Sequence, residues 1–328
     1  MGKKIVVFLL AILILAFANF ADAQQPGKMY RIGFLWLATP EPVAPLRKAL
    51  VDGLRELGYV EGRNIAVENR FADGKTERLP DLAAELVRLK LDVILAGPSS
   101  EITTLKQATT TIPIVMVHPT EPVEAGFITS LAQPGGNITG LSLSASPELQ
   151  TKHLALLKEV VPRVSRVTIL RQANVPGRIA SFAAVEDAAR KMNVTLQFVD
   201  VRGPDDFERA FTTMIRNRAQ AFMIFGGALF WMRRQQIGEL AVKNRLPGTH
   251  SLREYAEAGL LMTYGANLEA LYRRAAFYVD RILKGTKPPD LPVEQPMKFE
   301  FVINLKTANQ LGLTIPQWTL MKADKVIR

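Results

Sequence analysis

The stretch Ile112-Pro113-Ile114-Val115-Met116-Val117-His118-Pro119-Thr120-Glu121 is an apolar run that stops at an imidazole, a hydroxyl and a carboxylate. Those three groups at the end of a buried strand can donate and accept hydrogen bonds to a small polar molecule. They would equally satisfy nearby backbone groups. Similar polar or aromatic residues follow other apolar runs: Trp36 and Thr39, then Ser99, then Ser142, then Arg171 and Asn174, then Gly227, then Tyr264. These are the candidate ligand-binding residues, together with His118, Thr120 and Glu121. Glu121 and Arg171 carry the opposite charges that an ammonium and a carboxylate require, although a plain surface ion pair would use the same two groups. The rings of Trp36 and Tyr264 would cover an apolar ligand face, or simply pack.

Signatures of bond-making chemistry are missing. The chain has no cysteine, no phosphate-cradling G-x-x-x-x-G-K-[ST] or G-x-G-x-x-G, and no G-x-S-x-G elbow. It has three histidines, His118, His153 and His250. His118 with Glu121 gives two metal ligands where a closed site takes four. No spacing supports a hydrolytic triad through Ser99 or Ser251. Binding without catalysis, cofactor or metal is therefore expected.

The elements that would position these residues alternate. Apolar runs at Ile32–Leu37, Asp92–Ala96, Ile112–Val117, Ile138–Leu143, Val167–Leu170, Val194–Asp200, Ala221–Phe225 and Leu260–Tyr264 have the length of buried strands, and Asn64–Phe71 alternates like a strand nearer an edge. Between them lie helical patterns at Pro45–Leu57, Thr76–Leu89, Ser99–Ala108, Pro147–Val160, Gly177–Met192, Pro204–Asn217, Phe230–Asn244 and Leu268–Lys284. A strand-like Phe299–Ile303 and a short helix Leu305–Gln310 close the chain after a proline-rich passage. Such alternation builds parallel sheets covered by helices. About ten strands over 328 residues fit two doubly wound α/β lobes better than one, with a division near Gly136–Ser142. In open parallel sheets ligands bind beyond the carboxyl ends of the strands, so two lobes face each other across a ligand cleft.

The first residues follow another logic. Lys3-Lys4, an uncharged apolar stretch from Ile5 to Phe17, and the small-residue triplet Ala21-Asp22-Ala23 have the layout of a secretory signal peptide. Residues 1–23 are expected to be removed after Ala23, leaving the mature protein in the periplasm. Their removal takes two lysines and one aspartate, lowering the net charge from +10 to +9. The basic residues are scattered, without the concentrated stripe of a nucleic-acid binder.

Four segments carry a resemblance to a known family. They are Leu57-Gly-Tyr-Val-Glu-Gly-Arg-Asn64, Ser130-Leu-Ala-Gln-Pro-Gly-Gly-Asn-Ile-Thr-Gly140, Arg253-Glu-Tyr-Ala-Glu-Ala-Gly259 with Met262-Thr-Tyr-Gly265, and Leu291-Pro-Val-Glu-Gln-Pro296 leading to Phe301-Val-Ile-Asn-Leu-Lys-Thr-Ala308. Over Tyr30 to Arg328 the chain resembles ABC transporter substrate-binding proteins of the tryptophan/tyrosine-binding-like family. The resemblance implies a type I periplasmic binding protein fold. It implies lobes at residues 29–140 plus 266–291 and 141–265 plus 292–328, joined near Gly140–Ser142, Tyr264–Asn267 and Pro292–Phe299. It implies a monomer that captures a small molecule, an amino acid or aromatic compound, and delivers it to an inner-membrane ABC permease. A sensory protein presenting its ligand to a membrane receptor is the alternative. Family members often carry an acid and a proline before the glycine of the loop after the fourth strand, which Glu121-Pro122 matches. They often have Asn-Pro after the first strand of the second lobe, where this chain has Arg171-Gln172-Ala173-Asn174.

Overall fold

The computed structural model describes residues 28–143, 147–173 and 179–328. The expected signal peptide and Asn174 lie outside the described residues.

Among the described residues the strands form two sheets. The first begins with β1 (Tyr30–Trp36), helix α1 (Pro40–Glu56), β2 (Ile65–Phe71) and α2 (Leu79–Arg88), and continues through β3 (Val93–Ala96), α3 (Ser99–Ala108), β4 (Ile114–Met116) and β5 (Ile138–Gly140). Its order is β2-β1-β3-β4-β5, parallel throughout. The central strands β3 and β4 are buried along their whole length, as strands covered on both faces must be. In α2 the buried side chains Leu79, Leu82, Ala83 and Leu86 recur at three- and four-residue intervals, so one stripe meets the sheet. Each such leucine contributes roughly 1.5–3 kcal/mol by leaving water.

The second sheet gathers α4 (Pro147–Val160), β6 (Arg166–Gln172), α5 (Ile179–Lys191), β7 (Thr195–Val201), α6 (Asp206–Arg216) and β8 (Ala221–Phe225). It continues with α7 (Ala228–Met232), α8 (Arg234–Lys243), β9 (Gly248–His250), α9 (Arg253–Glu257) and β10 (Met262–Gly265). The chain then leaves along α10 (Leu268–Leu283) and returns as β11 (Glu300–Asn304), α11 (Leu305–Gln310), α12 (Gln317–Leu320) and β12 (Lys325–Ile327). The order is β12-β11-β10-β9-β8-β6-β7.

Several expectations are revised. The strand β11 runs antiparallel to β10, because it arrives from the other lobe instead of through a crossover helix on its own sheet. Strands β9 and β12 were not anticipated; each is three residues, too short for a periodic signal. The single helix expected over Phe230–Asn244 is two, broken at Arg233. The first helix starts at Pro40, since prolines at the first positions forfeit only amide hydrogens that no helix would use.

Helix α10 follows a strand of the second sheet yet packs on the first lobe. Asn267 caps it by accepting the Ala270 N–H at 3.0 Å. Its buried face carries Leu271, Tyr272, Ala275, Ala276 and Val279. A methyl group added at Gly53 of α1 would sit 2.7 Å from the Arg273 carbonyl of α10, so the two helices touch backbone to backbone. Near β5, Leu141 forms a bridge with Glu294, and the Ser142 N–H donates to the Glu294 carbonyl at 2.9 Å. Two of the three inter-lobe connections are thus paired. Arg274 of α10 fastens them further through two hydrogen bonds to the Glu294 carboxylate, at 2.9 and 2.7 Å.

Candidate functional site

A cavity of about 390 Å³ lies where the two lobes face each other, within the range of small-molecule sites. It is bounded by the loops beyond the carboxyl ends of β1, β3 and β4 on one side and of β6, β7, β8 and β9 on the other.

The first-lobe wall is aromatic. Phe34 and Trp36, two residues apart on β1, share one face of the sheet, and their rings lie 3.6 Å apart and nearly parallel. Tyr272 of α10 lies parallel to Trp36 at 5.7 Å. Trp36 is turned by its indole N–H, which donates to the Asn69 side-chain oxygen at 3.0 Å. The outcome is a stack of parallel rings of which Trp36 and Tyr272 face the cavity.

Polar groups stand beside that wall. The His118 ring is 3.1 Å from the Tyr272 hydroxyl through Nε2. Surrounding protein depresses its pKa to about 4, because a charged imidazole would lose water there, so it is neutral at pH 7. Burial, and then the Glu101 charge, push the Tyr272 phenol well above its ordinary range. Glu101, in the first turn of α3, is 2% exposed. Its carboxylate accepts the Leu37 N–H at 3.0 Å and the Ser100 hydroxyl, yet burial outweighs both and lifts its pKa to about 7. Glu121 also lines the cavity, with its backbone in the left-handed region at φ 48°. A non-glycine residue pays roughly 1–2 kcal/mol there, and such strain concentrates at functional loops.

The second lobe supplies Gln150 from α4, Gln172 at the end of β6, Arg202 after β7, Gly226 and Gly227 after β8, and His250 with Ser251 after β9. The Gln172 side-chain oxygen accepts the Gly227 N–H at 3.2 Å, tying two of these strand ends together. His250 Nδ1 accepts the Leu252 N–H at 3.1 Å.

Of the sequence candidates, Trp36, Ser99, His118, Thr120, Glu121 and Gly227 line this cavity. Four do not, and each has a physical reason. Thr39 stands one residue beyond the lining Ala38, as the residue before α1. Ser142 is fully buried, with its hydroxyl directed at the Pro119 carbonyl. Arg171 is ion-paired with Asp200, with its guanidinium 5.0 Å from the Phe198 ring. Tyr264 belongs to a separate pocket with Phe299, between α4 and α5, while its carbonyl accepts from His153. The expected Glu121–Arg171 pair of ligand anchors is therefore not assembled.

Sequence reasoning missed Glu101, Gln150, Gln172, Arg202, His250 and Tyr272. Strand alternation could have found Gln172: neighbours on a strand point to opposite faces, so Arg171 and Gln172 cannot both reach the cavity. Arg202 directly follows β7, a strand end of the same kind as the others. Glu101 and Tyr272 carried no signal of their own, since both lie inside helices whose rotation only packing determines.

The family model described as ABC transporter substrate binding protein matches residues 42–327. A curated tyrosine-binding protein of Clostridioides difficile (strain R20291) is 24% identical over 296 residues, covering 90% of this chain and 85% of that protein. A solved ABC domain from Streptococcus pneumoniae, in complex with L-Trp, is 24% identical, with a TM-score of 0.84 over 91% of this chain and 99% of its own. A conserved domain protein from Vibrio cholerae is 26% identical, also with a TM-score of 0.84, over 91% of this chain and 100% of its own.

Proposed function

Because the chain belongs to the family of ABC transporter substrate-binding proteins, we propose that it captures an aromatic amino acid in the inter-lobe cavity and delivers it to the permease of an importer. The observation that carries this reading is the stack of parallel rings presented to the cavity by Trp36 and Tyr272. The cavity wall that these buried rings form, with the half-buried Trp231 ring that also lines it, gives another ring aromatic contacts worth about 0.5–1.5 kcal/mol beyond the area they cover. Two relatives support the same class: the curated one is named for tyrosine, and the pneumococcal structure holds L-Trp.

The working step is a change of shape. Ligand touching both walls stabilises the closed arrangement over the open one by its differential contacts. The lobes are residues 29–140 plus 266–291 and 141–265 plus 292–328. The hinge is the paired connections at Leu141 and Glu294 together with the passage from Gly265 to Asn267. Trp36, Ser99, His118, Thr120, Glu121 and Gly227 are the contacts proposed from the strand ends. Export to the periplasm, with cleavage after Ala23, rests on the signal-like pattern of residues 1–23. The mature protein works as a monomer.

Titration calorimetry of the purified protein with L-tryptophan, L-tyrosine, L-phenylalanine, L-leucine and glucose tests the reading. Saturable one-to-one binding of at least one aromatic amino acid, at least tenfold tighter than L-leucine, is expected. Binding of glucose or L-leucine in preference to all three aromatics would overturn it.

A further inference from the structure

We propose that Arg202 recognises the carboxylate of the ligand and that the Gln150 side-chain oxygen accepts a hydrogen bond from its ammonium. The second lobe then reads the amino-acid head while the aromatic wall of the first lobe reads the ring. This rests on the amino-acid reading above and assigns its polar contacts.

Charge is distributed unequally around the cavity. Among the described residues that line it, Arg202 is the only lysine or arginine. The acidic residues that line it, Glu101 and Glu121, both come from the first lobe, and any negative charge they carry repels a ligand carboxylate. His118 is neutral at pH 7. Arg171, the nearest arginine in sequence on β6, is held by Asp200. The guanidinium of Arg202 makes no ion pair among the described residues, and its planar fork suits a carboxylate in two-point contact.

The Arg202 backbone is fixed independently of its side chain. The N–H groups of Arg202 and Gly203 both donate to one Asp206 carboxylate oxygen, at 2.8 and 3.3 Å, and the other oxygen of Asp206 takes the Arg209 guanidinium at 2.6 Å. The loop is thereby anchored to the first turn of α6, and Arg202, exposed and with its charge felt by Asp206, stands among the residues that line the cavity. Gln150 supplies a second, independent pointer. Its side-chain oxygen is out of contact with water and has no hydrogen-bond partner among the described residues, and the residue lines the cavity. A buried acceptor of this kind lacks a donor, and an ammonium is one.

The experiment compares three indole ligands by calorimetry on the purified wild-type protein and the Arg202→Gln, Arg202→Lys and Gln150→Leu variants. L-Tryptophan has both head groups, tryptamine lacks the carboxylate, and indole-3-propionate lacks the ammonium. Wild type is expected to prefer L-tryptophan over tryptamine by roughly a hundredfold, the scale of a lost desolvated charge pair. In Arg202→Gln that ratio should collapse to within about threefold, and Arg202→Lys should restore part of it. In Gln150→Leu the ratio of L-tryptophan to indole-3-propionate should shrink instead. A purely structural role would weaken all three ligands together and leave the ratios unmoved, which would overturn the proposal. If wild-type protein binds L-tryptophan normally but Arg202→Gln keeps the full preference, this assignment alone falls. If wild type binds none of the aromatic amino acids, the underlying reading falls with it.

Discussion

The imidazole of His118 and the hydroxyl of Tyr272 meet 3.1 Å apart over Gly97, joining the loop beyond β4 to a helix far later in the chain. A methyl group at Gly97 would lie 2.5 Å from His118 Nε2 and 2.6 Å from the Tyr272 oxygen. Gly97→Ala should therefore push both rings toward the cavity. Overpacking of this kind costs about 1–3 kcal/mol. Calorimetry should show ligand affinity reduced at least tenfold, with a lower melting temperature. Unchanged affinity would mean that the two rings are not part of the binding wall.

The aromatic wall makes a direct optical prediction. The three tryptophans of the chain divide cleanly: Trp36 and Trp231 line the cavity, while Trp318 is 50% exposed beneath the Lys322 ammonium. Saturation with L-tyrosine, excited at wavelengths that tyrosine does not absorb, should change the protein's tryptophan emission. Trp318→Phe should keep the change, and Trp36→Phe with Trp231→Phe together should abolish it. Trp36→Ala should also weaken binding by roughly tenfold or more through the lost stacking face.

Acid stability follows from two buried groups, His153 and Glu101, and from the half-buried His118. His118 and His153 both have folded pKa values of about 4, below the ordinary 6.5, because burial excludes the charged ring. The folded state then binds fewer protons than the unfolded one between those values, so each histidine lowers stability as pH falls from 6.5 toward 4. For His153 the full effect is on the order of 3 kcal/mol. Glu101 acts oppositely: its pKa is raised from 4.5 to about 7, so its penalty is absent below 4.5 and grows as pH rises through 7. Two histidines outweigh one glutamate, so the melting temperature should rise from pH 4.5 to 6.5. It should then level off toward pH 8, where the last of the histidine gain and the last of the glutamate loss offset each other. In Glu101→Gln the rise from pH 4.5 to 6.5 should be steeper, and in His153→Gln it should be shallower. A melting profile identical to wild type in both variants would contradict these buried titrations.

Asn304 should be structural and nothing else. It is 4% exposed, its amide donates to the Ala256 carbonyl at 2.8 Å, and its oxygen accepts the Thr307 N–H at 2.9 Å. Asn304→Ala removes the cap of α11 and strands two buried groups, at a cost of about 2–3 kcal/mol. Denaturant unfolding should show that loss while ligand affinity stays within about twofold of wild type.

How far the sequence discloses this molecule depends on what kind of signal each feature leaves. The fold class is written in strand-length apolar runs and helical stripes, such as Leu79, Leu82, Ala83 and Leu86, and any reader of period can find it. The loop at His118 and Glu121 is equally visible, because polar residues abruptly follow a buried strand. Arg171 misled for a reason of parity: it is charged and ends a strand, but the neighbouring Gln172 points the other way and lines the cavity. Tyr272 was hidden because its role is set by how α10 lies across α1, and nothing local to Leu268–Leu283 records that. Glu101 was hidden likewise, since a glutamate in a first turn is ordinarily a solvated helix start.

The docking of α10 on α1 sets an order on the birth of the protein. When the chain has been made as far as Gly140, all five strands of the first sheet exist, and so does α1, with the face around Gly53 still lacking the helix that packs against it. That cover is not synthesised until the second sheet has been laid down through β10. The first lobe is thus the earlier to begin and cannot be the earlier to finish. Its apolar surface stays open while the second lobe is made, and both halves mature together once Leu268–Leu283 emerges.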